Sequence, residues 1–166
     1  LYPFQVSGGM ARRVLVAAAT VGGAELIIAD EPTPGLHPEV VAETLRHLRE
    51  LADAGRSVLL ITHDIDAALT VADQVVVFYA GTTLEVAPAG DFAGRGDSLR
   101  HPYTRALWRA LPQNGFTPLP GAQPLPDALP AGCLFAERCR HATTECQAAR
   151  PALRPVRDGW VRCIYA

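Results

Sequence analysis

The chain has 166 residues, 49% of them hydrophobic and 19% charged, with a formal net charge of −2. These values describe a globular chain with room for one real core and a small appendage, and they exclude the disordered class. The charge balance asks for neither nucleic acid nor an anionic membrane surface, and the longest apolar run near the start, residues 14–19, is far short of the ~20 residues that span a bilayer.

No basic-then-apolar leader is read at the start. The chain begins at Leu1 without a methionine and enters a motif almost at once, which reads as a piece of a longer protein. Ser7-Gly8-Gly9 stands directly before residues 10–21, a small apolar stretch predicted as a helix closed by Gly22 and Gly23. Leu26-Ile27-Ile28-Ala29 follows, a buried strand by length and β-branching, ending in Asp30-Glu31. Residues 39–54 place Val41, Leu45, Leu48 and Ala52 on one face, an amphipathic helix ended by Gly55. Val58-Leu59-Leu60-Ile61 is a second buried strand and ends in Thr62-His63-Asp64, with a short helix over 65–71 behind it. Residues 74–79 form a third strand, and Gly81 turns the chain back toward 83–86. Strands buried on both faces and separated by helices predict an α/β fold with a largely parallel sheet and flanking helices.

Composition then shifts. A short helix is expected over 103–111, and residues 114–132 carry Pro118, Pro120, Pro124, Pro126 and Pro130. So many prolines forbid helix or central strand and predict a semi-rigid extended linker. All four cysteines, Cys133, Cys139, Cys146 and Cys163, lie beyond it. The expected organisation is therefore 1–97, 98–132 and 133–166.

The front zone carries phosphate chemistry. Ser7 is a capping residue by type, and two glycines let backbone approach a ligand closely. Free amides and the positive end of the helix dipole then favour an anion such as phosphate. Alone, these residues fit an ordinary Gly-rich cap better. Asp30, at the end of a buried strand, is suited to hold Mg²⁺, usually through water. Glu31 can polarise an attacking water as general base. Parallel strands that end together would bring His63 near Glu31.

In this order and at these intervals, SGGM at 7–10, LIIADEPT at 26–33 and LLITHD at 59–64 resemble the signature motif, Walker B motif and switch histidine of ABC ATPases. The resemblance implies that Ser7, Gly8 and Gly9 serve the γ-phosphate of an ATP held by an opposing subunit. It implies Mg²⁺ at Asp30, water activation by Glu31 and a γ-phosphate contact from His63. In that family two sites form when two such domains meet head to tail. Two departures stand out. The Walker A loop, G-x-x-x-x-G-K-[ST], and the glutamine loop that couples to the membrane partner are not in this sequence, so no useful ATP affinity is expected of this piece by itself. His37 follows Leu36 where the family usually has an aspartate, which bears on that loop's cross-subunit contacts.

The tail narrows the resemblance. HPYTRALWRALP at 101–112 and the GCLFAERC…C…VRC pattern resemble the ATPase subunits of oligopeptide, dipeptide and nickel importers. The cysteines are spaced C-x5-C-x6-C-x16-C in a segment too short to build its own core, for which a metal is a natural staple. Four thiolates suit Zn²⁺ or a [4Fe–4S] cluster; the gaps and the resemblance favour the cluster, with zinc second, and free buried cysteines are the plain alternative, disfavoured by four of them in a polar segment. Arg138, Arg140 and His141 would offset a cluster's charge, or form a solvated face. The implied function is an energy-coupling subunit of a peptide importer, peripheral at the cytoplasmic face of the membrane. Its partners would be a second ATPase subunit, identical or sister, integral permease subunits and, indirectly, an extracytoplasmic solute-binding protein. A metal- or redox-sensing module on a degenerate ABC ATPase is the alternative. A DNA-repair ATPase comes third, since it would want a coiled coil or a basic face.

Overall fold

The computed structural model describes residues 2–166. The chain divides into two compact units, Leu1–Ala72 and Asp73–Ala166.

In the first unit, α1 (Gly8–Val21) leads to β1 (Leu26–Asp30), α2 (Pro38–Asp53), β2 (Ser57–Ile61) and α3 (Ile65–Leu69). β1 and β2 pair in parallel, from Leu26 opposite Ser57 to Asp30 opposite Ile61. The Glu31 N–H extends that ladder by donating to Ile61 O at 2.9 Å. The crossover between them is α2, which buries Leu45 and Leu48 and packs on β2. Its outer face carries the i,i+4 ion pairs Arg46–Glu50 and Arg49–Asp53. Neither strand is buried on both faces as the sequence suggested. Leu26, Ile28, Leu59 and Ile61 are exposed, and the pairing of Ile28 with Leu59 sets them on one side. Period-2 alternation assigns the covered side to Ile27, Val58 and Leu60 instead.

The second unit is a four-stranded antiparallel sheet, ordered β3-β4-β6-β5, made of Gln74–Tyr79, Thr82–Pro88, Gly159–Val161 and Arg154–Val156 respectively. The expectation of a largely parallel sheet fails here. Residues 74–79 do not join β1 and β2. Ala80 and Gly81 both take positive φ (46° and 75°), the geometry of a two-residue hairpin whose twist matches its strands, so β3 pairs with its immediate neighbour β4. Two helices, α4 (Pro102–Ala110) and α5 (Thr144–Ala148), complete the unit. Residues 115–132 hold neither helix nor strand, as five prolines require.

The cysteine segment does not rely on itself for a core. Leu134 and Phe135 pack with Tyr79 and Leu84 of the hairpin, and Tyr103, Leu119, Cys133 and Cys139 close around them. β6 adds Val161 opposite Glu85. Glu85 is fully buried and accepts from the Arg100 and His101 N–H groups, both at 2.8 Å. The Arg100 guanidinium reaches Asp91 at 2.6 Å and donates through Nε to Val156 O at 2.7 Å. A charge this deep is tolerated only when paired. The network fixes β4, the start of α4 and the β5–β6 hairpin to one another.

Candidate functional site

In the first unit, α1 begins two residues earlier than its apolar pattern, so Gly8 and Gly9 form its first turn. Ser7 caps it, with Oγ accepting from the Met10 N–H at 3.3 Å. Gly8 and Gly9 line a shallow recess of about 270 Å³ with Ala11, Leu15, Pro34, Gly35 and Leu36. The recess thus joins the helix start to the loop after β1, but its lining includes none of Asp30, Glu31 and His63.

Those three stand at the ends of the parallel pair. Asp30 is the last residue of β1 and is exposed. Glu31 and His63 meet. The His63 Nδ1 lies 2.8 Å from Glu31 Oε1, and the His63 N–H donates to the same oxygen at 3.2 Å. The imidazole is exposed, and its pKa is raised by the hydrogen bond to Glu31 and by that carboxylate's charge. Both effects favour the imidazolium. Glu31 holds a left-handed backbone, φ 43°, which turns its carboxylate away from the strand path. Thr62 is a partner that motif spacing alone did not single out. Its hydroxyl reaches Glu31 Oε2 at 3.5 Å and accepts from the Asp64 N–H at 3.1 Å. A hydroxyl residue between a strand and its terminal histidine was the available signal. Asp64 in turn caps α3 through the Ala67 N–H. A carboxylate pinned by an imidazole at open strand ends can polarise a water and present positive charge to an anion.

A second constellation lies in the second unit. All four cysteines line one cavity of about 560 Å³, together with Arg105, His101, His141, Thr143 and Tyr165. None forms a disulfide. Burial pushes the Cys133 and Cys139 thiols above their ordinary pKa. Among the described residues, no three His, Cys, Asp or Glu side chains are drawn together tightly enough to hold a single metal ion. The thiols face a shared space without closing on one point. His101, 1% exposed, accepts from the Tyr103 N–H at 3.0 Å and bonds the Arg162 backbone; burial lowers its pKa to about 4, so it is neutral. Arg138 is not a counter-charge facing the cavity. Its guanidinium donates to Tyr79 OH at 3.1 Å, Pro120 O at 2.9 Å and Leu119 O at 3.2 Å. Arg140 donates to His141 Nε2 at 3.1 Å.

Residues 84–146 match the family described as Oligopeptide/dipeptide transporter, C-terminal region. The chain is 40% identical to the Dipeptide transport ATP-binding protein DppD of Escherichia coli, over 99% of this chain and 52% of that protein. It is 37% identical to the Oligopeptide transport ATP-binding protein AppD of Bacillus subtilis, over 98% of this chain and 51% of that one. A third relative, the Probable D,D-dipeptide transport ATP-binding protein DdpD of Escherichia coli, is 39% identical over 98% of this chain and 50% of its own length. The chain therefore spans about half the length of the curated relatives it matches.

Proposed function

We propose that the chain, whose residues 84–146 match the oligopeptide/dipeptide transporter C-terminal region, is part of the ATP-hydrolysing, energy-coupling subunit of an ABC importer for peptides or related small solutes. The observation that carries the proposal is the Glu31–His63 pair, 2.8 Å apart at the ends of adjacent parallel strands. In this proposal Glu31 orients and polarises the attacking water, and His63 contacts the γ-phosphate. Asp30 is the residue suited to Mg²⁺, which would neutralise charge on the phosphates when bound. Ser7, Gly8 and Gly9 offer amides and a helix N-terminus to the γ-phosphate of an ATP held by a second, identical or sister, subunit. That none of Asp30, Glu31 and His63 lines the Gly8–Gly9 recess supports service to a different nucleotide. Integral permease subunits would hold such a pair at the cytoplasmic face of the membrane, with a solute-binding protein acting through them. Among the described residues, no helix is long and apolar enough to cross a membrane.

The residues of the second cavity fit a metal group. Cys133, Cys139, Cys146 and Cys163 supply four thiol donors to one space. The C-x5-C-x6-C-x16-C gaps favour a [4Fe–4S] cluster in this proposal, with Zn²⁺ second. A bound cluster would supply one-electron redox chemistry and a covalent tie between the 133–146 segment and the chain end. The three-part organisation, with boundaries near 97 and 132, belongs to the same proposal.

The decisive measurement is ATP turnover by the assembled transporter carrying Glu31→Gln. ATP binding should persist while turnover falls at least ~100-fold, the usual contribution of a general base. A variant hydrolysing ATP at the parent rate would remove Glu31 from the mechanism.

A further inference from the structure

Thr143 occupies the position just before α5 with extended backbone, φ −123° and ψ 174°. A threonine there ordinarily accepts from the helix's own amides, but Thr143 makes no such bond. Its Oγ1 lies instead 3.7 Å from Cys146 Sγ and 2.8 Å from Tyr165 OH. Proton counting orders the three groups. A hydroxyl carries one proton, so while Thr143 donates to sulfur, the Tyr165 O–H must donate to Thr143. Thr143 and Tyr165 line the same cavity as the four cysteines. Cys146 is the buried member of the four, where solvent competes least for its sulfur.

We propose that Thr143 and Tyr165 form a two-hydroxyl relay that hydrogen-bonds the Cys146 sulfur and raises the reduction potential of an iron–sulfur cluster held by the four cysteines. The inference rests on the cluster reading above. Reduction adds one electron, and part of that charge falls on the ligand sulfurs. A donor to one of them therefore stabilises the reduced form more than the oxidised form. Tyr165 strengthens the effect by polarising the Thr143 hydroxyl. Both are positioning residues, since neither would ligate iron.

The full chain, purified without oxygen, is assayed for iron and sulfide and titrated with dithionite while visible absorbance is followed. Thr143→Val should keep its iron and sulfide and shift the midpoint potential negative. Tyr165→Phe should shift it the same way by less, and Thr143→Ser should restore the parent value, which a purely structural role would not predict. Loaded Thr143→Val and Tyr165→Phe variants with the parent midpoint would overturn the relay. If Thr143→Val loses its cluster, Tyr165→Phe decides alone by the same criterion. A parent chain holding zinc, or no iron and sulfide, overturns the cluster reading and the relay with it.

Discussion

Two histidines make opposite uses of the same imidazole. His63 sits in the open with its pKa raised by Glu31, so the interaction favouring its charged form is present below the ordinary value of 6.5 and fades as pH rises past the folded pKa. In Glu31→Gln, proton NMR titration should show the His63 pKa lowered; an unmoved pKa would mean that another group, such as Asp64, charges the ring. His101 is the reverse. It is buried and neutral, with a pKa of about 4 against 6.5 unfolded. Unfolded chains bind its proton first, so its contribution is whole above pH 6.5 and is lost as pH falls toward 4. Between those limits the parent should lose about 3 kcal/mol, at 1.36 kcal/mol per pKa unit. His101→Asn keeps a helix-capping residue and removes the titration, so urea midpoints measured across that range should lose the slope. The two sites differ in how far the sequence reveals them. His63 could be placed because it ends an apolar run that parallels the one ending in Glu31. His101 reads as one residue of a motif, and only its burial beneath the chain end gives it a role.

At the scale of elements, arginine does much of the work that the sequence left to charge pairing. Segments without strand partners leave carbonyls to satisfy. Arg138 serves Pro120 and Leu119, Arg162 serves Pro151 as well as Thr83 of β4, and Arg154 serves Cys163 and the Ala166 terminus. Arg138 near the cysteines suggested charge offset because spacing cannot reveal a carbonyl eighteen residues upstream. Arg138→Ala should cost about 2 kcal/mol for its lost hydrogen bonds. It should also make residues 116–131 the first site of limited proteolysis; unchanged cleavage would mean that proline stiffness alone holds the linker. The hairpin teaches a related point. Residues 74–79 are apolar enough for a buried parallel strand, yet Ala80-Gly81 supplies a tight turn, and a local partner needs little loop closure.

The whole molecule is uneven. Among the described residues, the buried hydrophobics of the first unit are Ile27, Leu45 and Leu48, whereas the second unit holds a continuous set from Val77 to Val161. The first unit also exposes Val14, Leu15 and Val21 besides the sheet side already described. Stability follows buried apolar surface, so the units should open at different denaturant concentrations. Trp108 and Trp160 both belong to the second unit, while α1 and α2 carry the longest helices in the first. Helical circular dichroism should therefore fall before tryptophan emission changes in a urea titration. Coincident curves would mean a single cooperative transition. The α/β pattern of the front unit was legible because helix and strand periods alternate cleanly there. The tail was not, because its order comes from pairing with β4 across about 75 residues, Glu85 opposite Val161 and Val86 opposite Trp160.

The backbone of Glu31 has one more consequence. A side chain longer than glycine's at φ 43° strains the chain by roughly 1 kcal/mol, and asparagine or glycine would relieve it. Selection for folding alone would push position 31 toward those residues. Selection for hydrolysis, in the proposed mechanism, would hold it at glutamate. Thermal tolerance and turnover are therefore opposed at this residue in the proposed mechanism.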